Sequence, residues 1–268
     1  MIFIKFVHSN RTYQCYNSMN LIKSYCPNVL INELEKYFCD MNYVYSSYNK
    51  KYVCIWKKID GTITDELRQN IYDPFFAKYN ANILQCVMIF NKFDPTKKYN
   101  INAEHNRFNV CYYKSIVPAY YDELYDTEYV GEWYDWYDSG QILCHGYYDN
   151  GKPSGLWKQM HENGNVASIG EYHDGKKDKI WQYLYSNESI QTSCYYVDGK
   201  LFGKLCHYDE NGKQLEEIDF VNDKMSGVYK KWIDGSLKIE GIYYNGMEHG
   251  EWKYYDDNDI IDRGYILI

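Results

Sequence analysis

No run in these 268 residues approaches the roughly 18 consecutive apolar residues of a membrane-spanning helix. The opening Met1-Ile2-Phe3-Ile4-Lys5-Phe6-Val7 is too short for the apolar core of a secretory signal, and Lys5 breaks it. Among nine cysteines no two stand as C-x-x-C, and the odd total argues against a disulfide framework. These absences point to a reducing, intracellular and most simply cytoplasmic setting, with the cysteines serving as small buried apolar residues. No G-x-S-x-G, no G-x-x-x-x-G-K-[ST] and no H-x-x-x-H occurs, so a nucleophile elbow, a phosphate loop and a helical zinc pair are all missing. A thiol–imidazole pair such as Cys111 with His105 is easily drawn by chance from the six cysteines and two histidines of residues 1–130. No catalytic, cofactor-binding or metal-ligating residue is assigned, and the chain is expected not to be an enzyme.

What is present is globular in composition, with 45% apolar and 25% charged residues. The 33 tyrosines belong with abundant asparagine, isoleucine and lysine, all encoded by A/T-rich codons, so a single Tyr or Asn carries little weight. Charge divides unevenly. Residues 1–130 hold 15 Lys+Arg against 13 Asp+Glu, whereas residues 131–268 hold 14 against 24. The acidic half repels phosphate, which makes nucleic acid an unsuitable partner and disfavours an anionic lipid surface. The local basic stretch Lys176, Lys177 and Lys179 reads as a solvated turn.

The acidic half is periodic. Units open at Gly131, Gly155, Lys179, Gly203, Gly227 and Gly250, and divide the chain into 131–154, 155–178, 179–202, 203–226, 227–249 and 250–268. Two positions past each opening stands a large apolar residue: Trp133, Trp157, Trp181, Leu205, Tyr229, Trp252. A small-residue position follows at Gly146, Gly170, Cys194, Ile218, Gly241 and Gly264, arriving one residue early in the last two units. An aromatic comes two residues later at Tyr148, Tyr172, Tyr196, Phe220 and Tyr243. Asn163-Gly164 and Asp174-Gly175 are hairpin turns of the type I′ kind, so each unit is a β-hairpin and six units make twelve strands. At about 4.8 Å per strand a continuous sheet would run some 55 Å. Alternation places Val166, Ser168, Gly170 and Tyr172 on one face. The large residues three apart in the first strand (Trp133/Trp136, Trp157/Met160, Tyr229/Trp232) call for a bulge that returns them to one side, or else face opposite ways. A strand glycine leaves room for a ring against backbone, and the Trp and Tyr rows supply the rings. Packing is therefore the expected role of Trp133, Trp157, Trp181 and Trp252. The third unit is worn, with Lys179 and Glu188 where its counterparts have glycine. The apolar ending Gly264-Tyr-Ile-Leu-Ile268 asks for a cover, and a cap from the same chain is expected.

Residues 1–130 read as a small α+β domain. Strands are expected at Met1–Val7, Lys51–Lys57, Ile83–Phe90 and Phe108–Val117. Helices are expected over Ile31–Phe38, where Ile31, Leu34 and Phe38 share a face, and from Thr64-Asp65-Glu66 to before Pro74.

Asn245-Gly246-Met-Glu-His-Gly250-Glu-Trp252-Lys-Tyr-Tyr255 and Asp149-Asn-Gly151-Lys-Pro-Ser-Gly155-Leu-Trp157 resemble the MORN repeat (membrane occupation and recognition nexus) in its variant form. The resemblance covers residues 131–268, about half the chain, and is similar to that of giant-virus MORN proteins and of bacterial proteins described as antitoxin-like. It implies an elongated antiparallel sheet and a scaffolding or protein-binding role; lipid binding, proposed for some members, sits badly with the acidic array. The expected function is a non-enzymatic scaffold binding an unidentified protein through the concave face and exposed aromatics. Alternatives are an N-terminal enzyme targeted by the array, and an antitoxin-like neutralising protein.

Overall fold

A computed structural model describes residues 37, 40–94, 96–100, 106–122, 129–256 and 259–266. They divide into two compact units, one of residues 1–126 with 134–142, the other of 127–133 with 143–268. Strands expected at Met1–Val7, and the helix over Ile31–Phe38 apart from helical Tyr37, lie outside the described residues.

The first unit is an antiparallel sheet of five strands: β1 (Tyr43–Tyr48), β2 (Tyr52–Lys57), β3 (Lys78–Asn91), β4 (Lys98–Asn100) and β5 (Asn106–Tyr113). Asn49 and Lys50 both take positive φ, 49° and 60°, in the three-residue loop that joins paired Tyr48 and Tyr52 at the β1–β2 hairpin. β3 is long enough to serve two partners. Its first half pairs with β5 (Lys78↔Tyr113 to Gln85↔Asn106) and its second with β2 (Gln85↔Lys57 to Asn91↔Tyr52). With β1 pairing both β2 and β5, the pairings of β1, β2, β3 and β5 form a closed ring. Val44, Cys54, Trp56, Ala77, Tyr79, Leu84 and Tyr112 fill it.

An α+β domain is not what these residues build. Among them the one helix with a full described range is α1 (Ile116–Tyr121), six residues and under two turns, capped by the Ser115 hydroxyl. It takes over where a strand to Val117 was expected, because β5 stops at Tyr113. The helix expected after Thr64 is also absent. Thr64 bridges to Ala81 instead, and Asp65, rather than lying free in a first helical turn, accepts from the backbone N–H (2.7 Å) and side-chain amide (3.1 Å) of Asn80. Glu66 is drawn into a polar knot: Lys58 at 2.5 Å, Lys114 at 2.9 Å and the Tyr112 hydroxyl all reach its carboxylate. Tertiary partners for both carboxylates outweigh a weak local preference. Residues 134–142 complete this unit, with Ser139 O accepting from the N–H groups of Tyr72 and Asp73, and the Trp136 ring 5.3 Å from Phe76.

The repeat sheet has thirteen strands: β6 (Gly131–Trp136), β7 (Ile142–Asp149), β8 (Lys152–Met160), β9 (Val166–His173), β10 (Lys176–Leu184), β11 (Ile190–Val197), β12 (Lys200–Leu201), β13 (Gly203–Tyr208), β14 (Gln214–Val221), β15 (Lys224–Ile233), β16 (Ser236–Tyr244), β17 (Met247–Asp256) and β18 (Asp259–Ile266). Sequence neighbours pair from β6 to β18 in order, with β12 a short piece on β11. One strand more than twelve results because the first strand of the fourth unit breaks at Phe202. Among the described residues no helix is long and apolar enough to cross a membrane.

Turn chemistry explains the drift in period. Between units, Asp174 and Gly175 have φ of 48° and 80°, and Asn245 and Gly246 have 53° and 88°, the type I′ pattern expected. Within units the expectation fails: at Asn163-Gly164 only the glycine is left-handed (φ 87°), in a five-residue loop closed by His161 N–H to Asn165 O. The fifth and sixth units differ: Asp234 and Gly235 are both left-handed (52° and 83°) with Ile233 paired directly with Ser236, and Asp256 pairs directly with Asp259. These shorter turns are why Gly241 and Gly264 arrive one residue early.

Candidate functional site

Each unit of the array begins with a distortion. Opposite β9, Asp178 pairs with Glu171 and Trp181 with Gly170, which leaves Lys179 and Ile180 as extra residues. The chain accommodates them by a left-handed residue at the opening position: Gly155 at φ 67°, Lys179 at 59°, Gly203 at 75°, Gly250 at 70°. Gly131 and Gly227 are also positive, at 148° and 131°. The opening glycine is thus a bulge residue, and the bulge aims the large residue two positions on.

That residue packs onto the unit before it. A Cβ added to Gly146 would meet the Trp157 ring at 2.1 Å, one on Gly170 the Trp181 ring at 2.2 Å, and one on Gly241 the Trp252 ring at 2.3 Å. Where the small position is not glycine, the following large residue is not tryptophan: Cys194 precedes Leu205, and Ile218 precedes Tyr229. The indole N–H of Trp157 donates to Tyr147 O (3.2 Å), and that of Trp181 to Glu171 O (3.0 Å). Tyrosines from the second strands meet these rings edge-on, Tyr148 with Trp157 at 5.2 Å, Tyr172 with Trp181 at 5.0 Å, Tyr196 with Trp181 at 6.4 Å and Tyr243 with Trp252 at 5.2 Å. Trp133, Trp157, Trp181 and Trp252 are all buried, while Tyr229 and Phe220 are half-buried.

A bulge does recur beside each turn, but on the second strand. Gln159 pairs with Ser168 and Met160 with Val166, so Ala167 is the extra residue. Trp157 and Met160 therefore keep ordinary alternation and face opposite ways, and Val166 leaves the face of Ser168 and Gly170. Trp133 and Trp136 diverge likewise: one neighbours the Trp157 ring at 5.7 Å, the other stacks with Tyr134 at 6.1 Å.

The opposite face is made by the residues flanking the buried row. Leu156, Ile180 and Val228 each precede the large residue, and Tyr147, Tyr195 and Ile242 each follow the small one; all six are exposed. Register sets Ile180 beside Tyr195 and Val228 beside Ile242. In the fourth unit the same places hold Lys204 and Asp219, also paired, so a charged stripe separates two apolar patches. Lys204 is held by Glu217 at 2.5 Å, and that hydrogen bond raises its pKa. Four of these six exposed side chains are aliphatic and two, Tyr147 and Tyr195, are aromatic.

The basic stretch is dispersed. Lys176 pairs with Asp198 (2.7 Å), Lys179 with Glu171 (2.6 Å), and Lys177 turns onto the Trp181 ring at 4.3 Å and donates to the Tyr183 hydroxyl at 2.6 Å. Among the described residues no group of three or more His, Cys, Asp or Glu side chains is placed to hold a metal ion. Cys111 is exposed and donates its thiol to Asn80 Oδ1 at 3.0 Å, and His105 lies outside the described residues.

Residues 129–150 and 153–174 each match the MORN repeat variant. The two matched stretches overlap the first two units and span the G-x-W strand, the glycine that receives the next ring, and the edge-on tyrosine. The later units repeat the same hairpin and the same bulge positions. No curated protein matches the chain.

Proposed function

We propose that this chain is a non-enzymatic scaffold whose MORN sheet binds a protein partner through the face opposite the tryptophan row. The observation that supports this is the recurrence of exposed aliphatic side chains at one repeat position: Leu156 is 54% exposed and Ile180 59%, both at the bulge that opens a unit inside a strand. Single exposed apolar residues are ordinary, whereas a row at fixed spacing marks an interaction surface. The tryptophans cannot serve it, because the preceding glycines hold their rings. An excess of 24 acidic over 14 basic residues in the array favours a protein over a polyanion.

The test is affinity capture with the full chain, comparing the unaltered protein with the Leu156→Glu/Ile180→Glu double variant. A specific partner should be retained by the first and lost by the second at unchanged melting temperature. Equal retention by both would remove this face from consideration, and flotation of the protein with acidic liposomes at low salt would replace the protein partner with a lipid surface.

A further inference from the structure

We propose that the free edge of β18 is a strand-addition site for a heterologous partner segment of pattern Trp-[Asp/Glu]-[Lys/Arg], with its indole seated on Gly264. Gly264 pairs with Trp252 as Gly170 pairs with Trp157 and Gly241 with Tyr229. It therefore occupies the place that in three other units carries the ring of the following strand. At Gly146, Gly170 and Gly241 that ring lies 2.1–2.3 Å from where a Cβ would be; at Gly264 nothing among the described residues lies within 4 Å. β18 also ends the strand order, so its outer N–H and C=O groups have no neighbouring strand among the described residues. An edge of this kind, with a side-chain site in register, is the geometry of β-augmentation.

The internal register states what the added strand must carry. The residue after the ring pairs with the residue before the glycine (Gln182↔Ile169, Lys253↔Glu240), and the next with the one before that (Tyr183↔Ser168, Tyr254↔Ile239). On β18 these places are Arg263 and Asp262. An acidic residue after the tryptophan and a basic one after that are complementary. The chain's own strands are not: Trp157-Lys158, Tyr229-Lys230 and Trp252-Lys253 would each set a lysine opposite Arg263. β18 has no tryptophan of its own, so pairing it with a second β18 would leave Gly264 bare, and Trp133 of β6, the sheet's other edge, would bring Asp135 opposite Asp262. The occupant is thus another protein, independent of whatever binds the face bearing Ile180.

The probe is a synthetic peptide copying residues 247–256 with Lys253→Glu and Tyr254→Lys, titrated against the full chain by fluorescence anisotropy. Saturable binding is expected, weakened at least about tenfold when the peptide also carries Trp252→Ala or the chain carries Gly264→Leu. The unaltered 247–256 peptide should bind less well, and Arg263→Glu in the chain should invert that preference, which keeps the proposal testable should Gly264→Leu fail to fold. The Leu156→Glu/Ile180→Glu chain should bind the peptide unchanged. Equal affinity for the Trp and Ala peptides, or an absence of saturation, would overturn the proposal. So would concentration-dependent self-association of the full chain that Gly264→Leu abolishes, since the edge would then belong to a second copy.

Discussion

The indole of Trp181 lies against the backbone of Gly170, one unit earlier, so closely that a methyl group on that glycine would stand 2.2 Å from the ring. The ring is fixed by its N–H bond to Glu171 O and by Tyr172 and Tyr196 meeting its edges, so it cannot step aside. Gly170→Ala should destabilise the array by about 1–3 kcal/mol, the ordinary cost of overpacking a filled site. Gly264→Ala, with open space at its Cβ position, should stay within about 0.5 kcal/mol. Urea denaturation of both variants measures the difference. Equal losses would mean that strand glycine, rather than the ring contact, sets the requirement.

Glu188 and Lys179 hold left-handed conformations, φ 69° and 59°, at places where the first, second, fourth and fifth units have glycine. The third unit keeps the common turn, Tyr185 N–H to Ser189 O and Glu188 N–H to Tyr185 O, at the expense of backbone strain. That strain is about 1–2 kcal/mol per residue, partly offset by the extra unfolded-state freedom of glycine, about 0.5–1 kcal/mol. Glu188→Gly should therefore raise the melting temperature. Lys179→Gly should gain less, because it also deletes the exposed ion pair with Glu171. Calorimetry of the two single variants checks the sign and the order.

Stability should fall in acid through Glu66. Burial pushes its carboxyl up, but hydrogen bonds from Lys58, Tyr112 and Lys114 and the Lys58 charge outweigh burial and hold the pKa below the usual carboxylate range. A group with a depressed folded pKa contributes stability above its unfolded pKa, about 4.3 for Glu, and that contribution disappears as pH drops through the folded value. Denaturant midpoints measured between pH 7 and pH 3 should decline less steeply in Glu66→Gln than in the unaltered chain, with Glu66→Gln the less stable of the two at pH 7.

Lys177 ties the third unit's strand to its aromatic row, its ammonium 4.3 Å from the Trp181 ring, 5.1 Å from Tyr183 and 5.4 Å from Tyr196. Lys177→Met keeps most of the apolar stem and removes the charge. A loss of about 0.5–2 kcal/mol is expected from the cation–π contacts. A double cycle with Tyr183→Phe should show the two changes to be non-additive, since they share the 2.6 Å hydrogen bond.

The period, the Trp, Gly and Tyr rows, the Asp-Gly and Asn-Gly turns between units and the acidity of the array are properties of the sequence alone. They could be read because a repeat's neighbours are copies of itself: each unit finds its partner about 24 residues away, and regular spacing announces the contact. Strand Tyr52–Lys57 and the Ile83–Phe90 part of strand Lys78–Asn91 are legible for a related reason, as short apolar runs between turns. Tertiary structure alone decided that Thr64–Glu66 spends its polar groups on Asn80, Lys58 and Lys114 instead of a helix, since those partners are distant in sequence and unconnected by any period. It also decided which way each ring points. Trp181 has two register partners, Gly170 on the preceding strand and Cys194 on the following one, and its ring lies over Gly170, with the unit's opening bulge just before it. That placement buries the aromatics of the repeat and turns their aliphatic neighbours, Leu156 and Ile180, to the solvent.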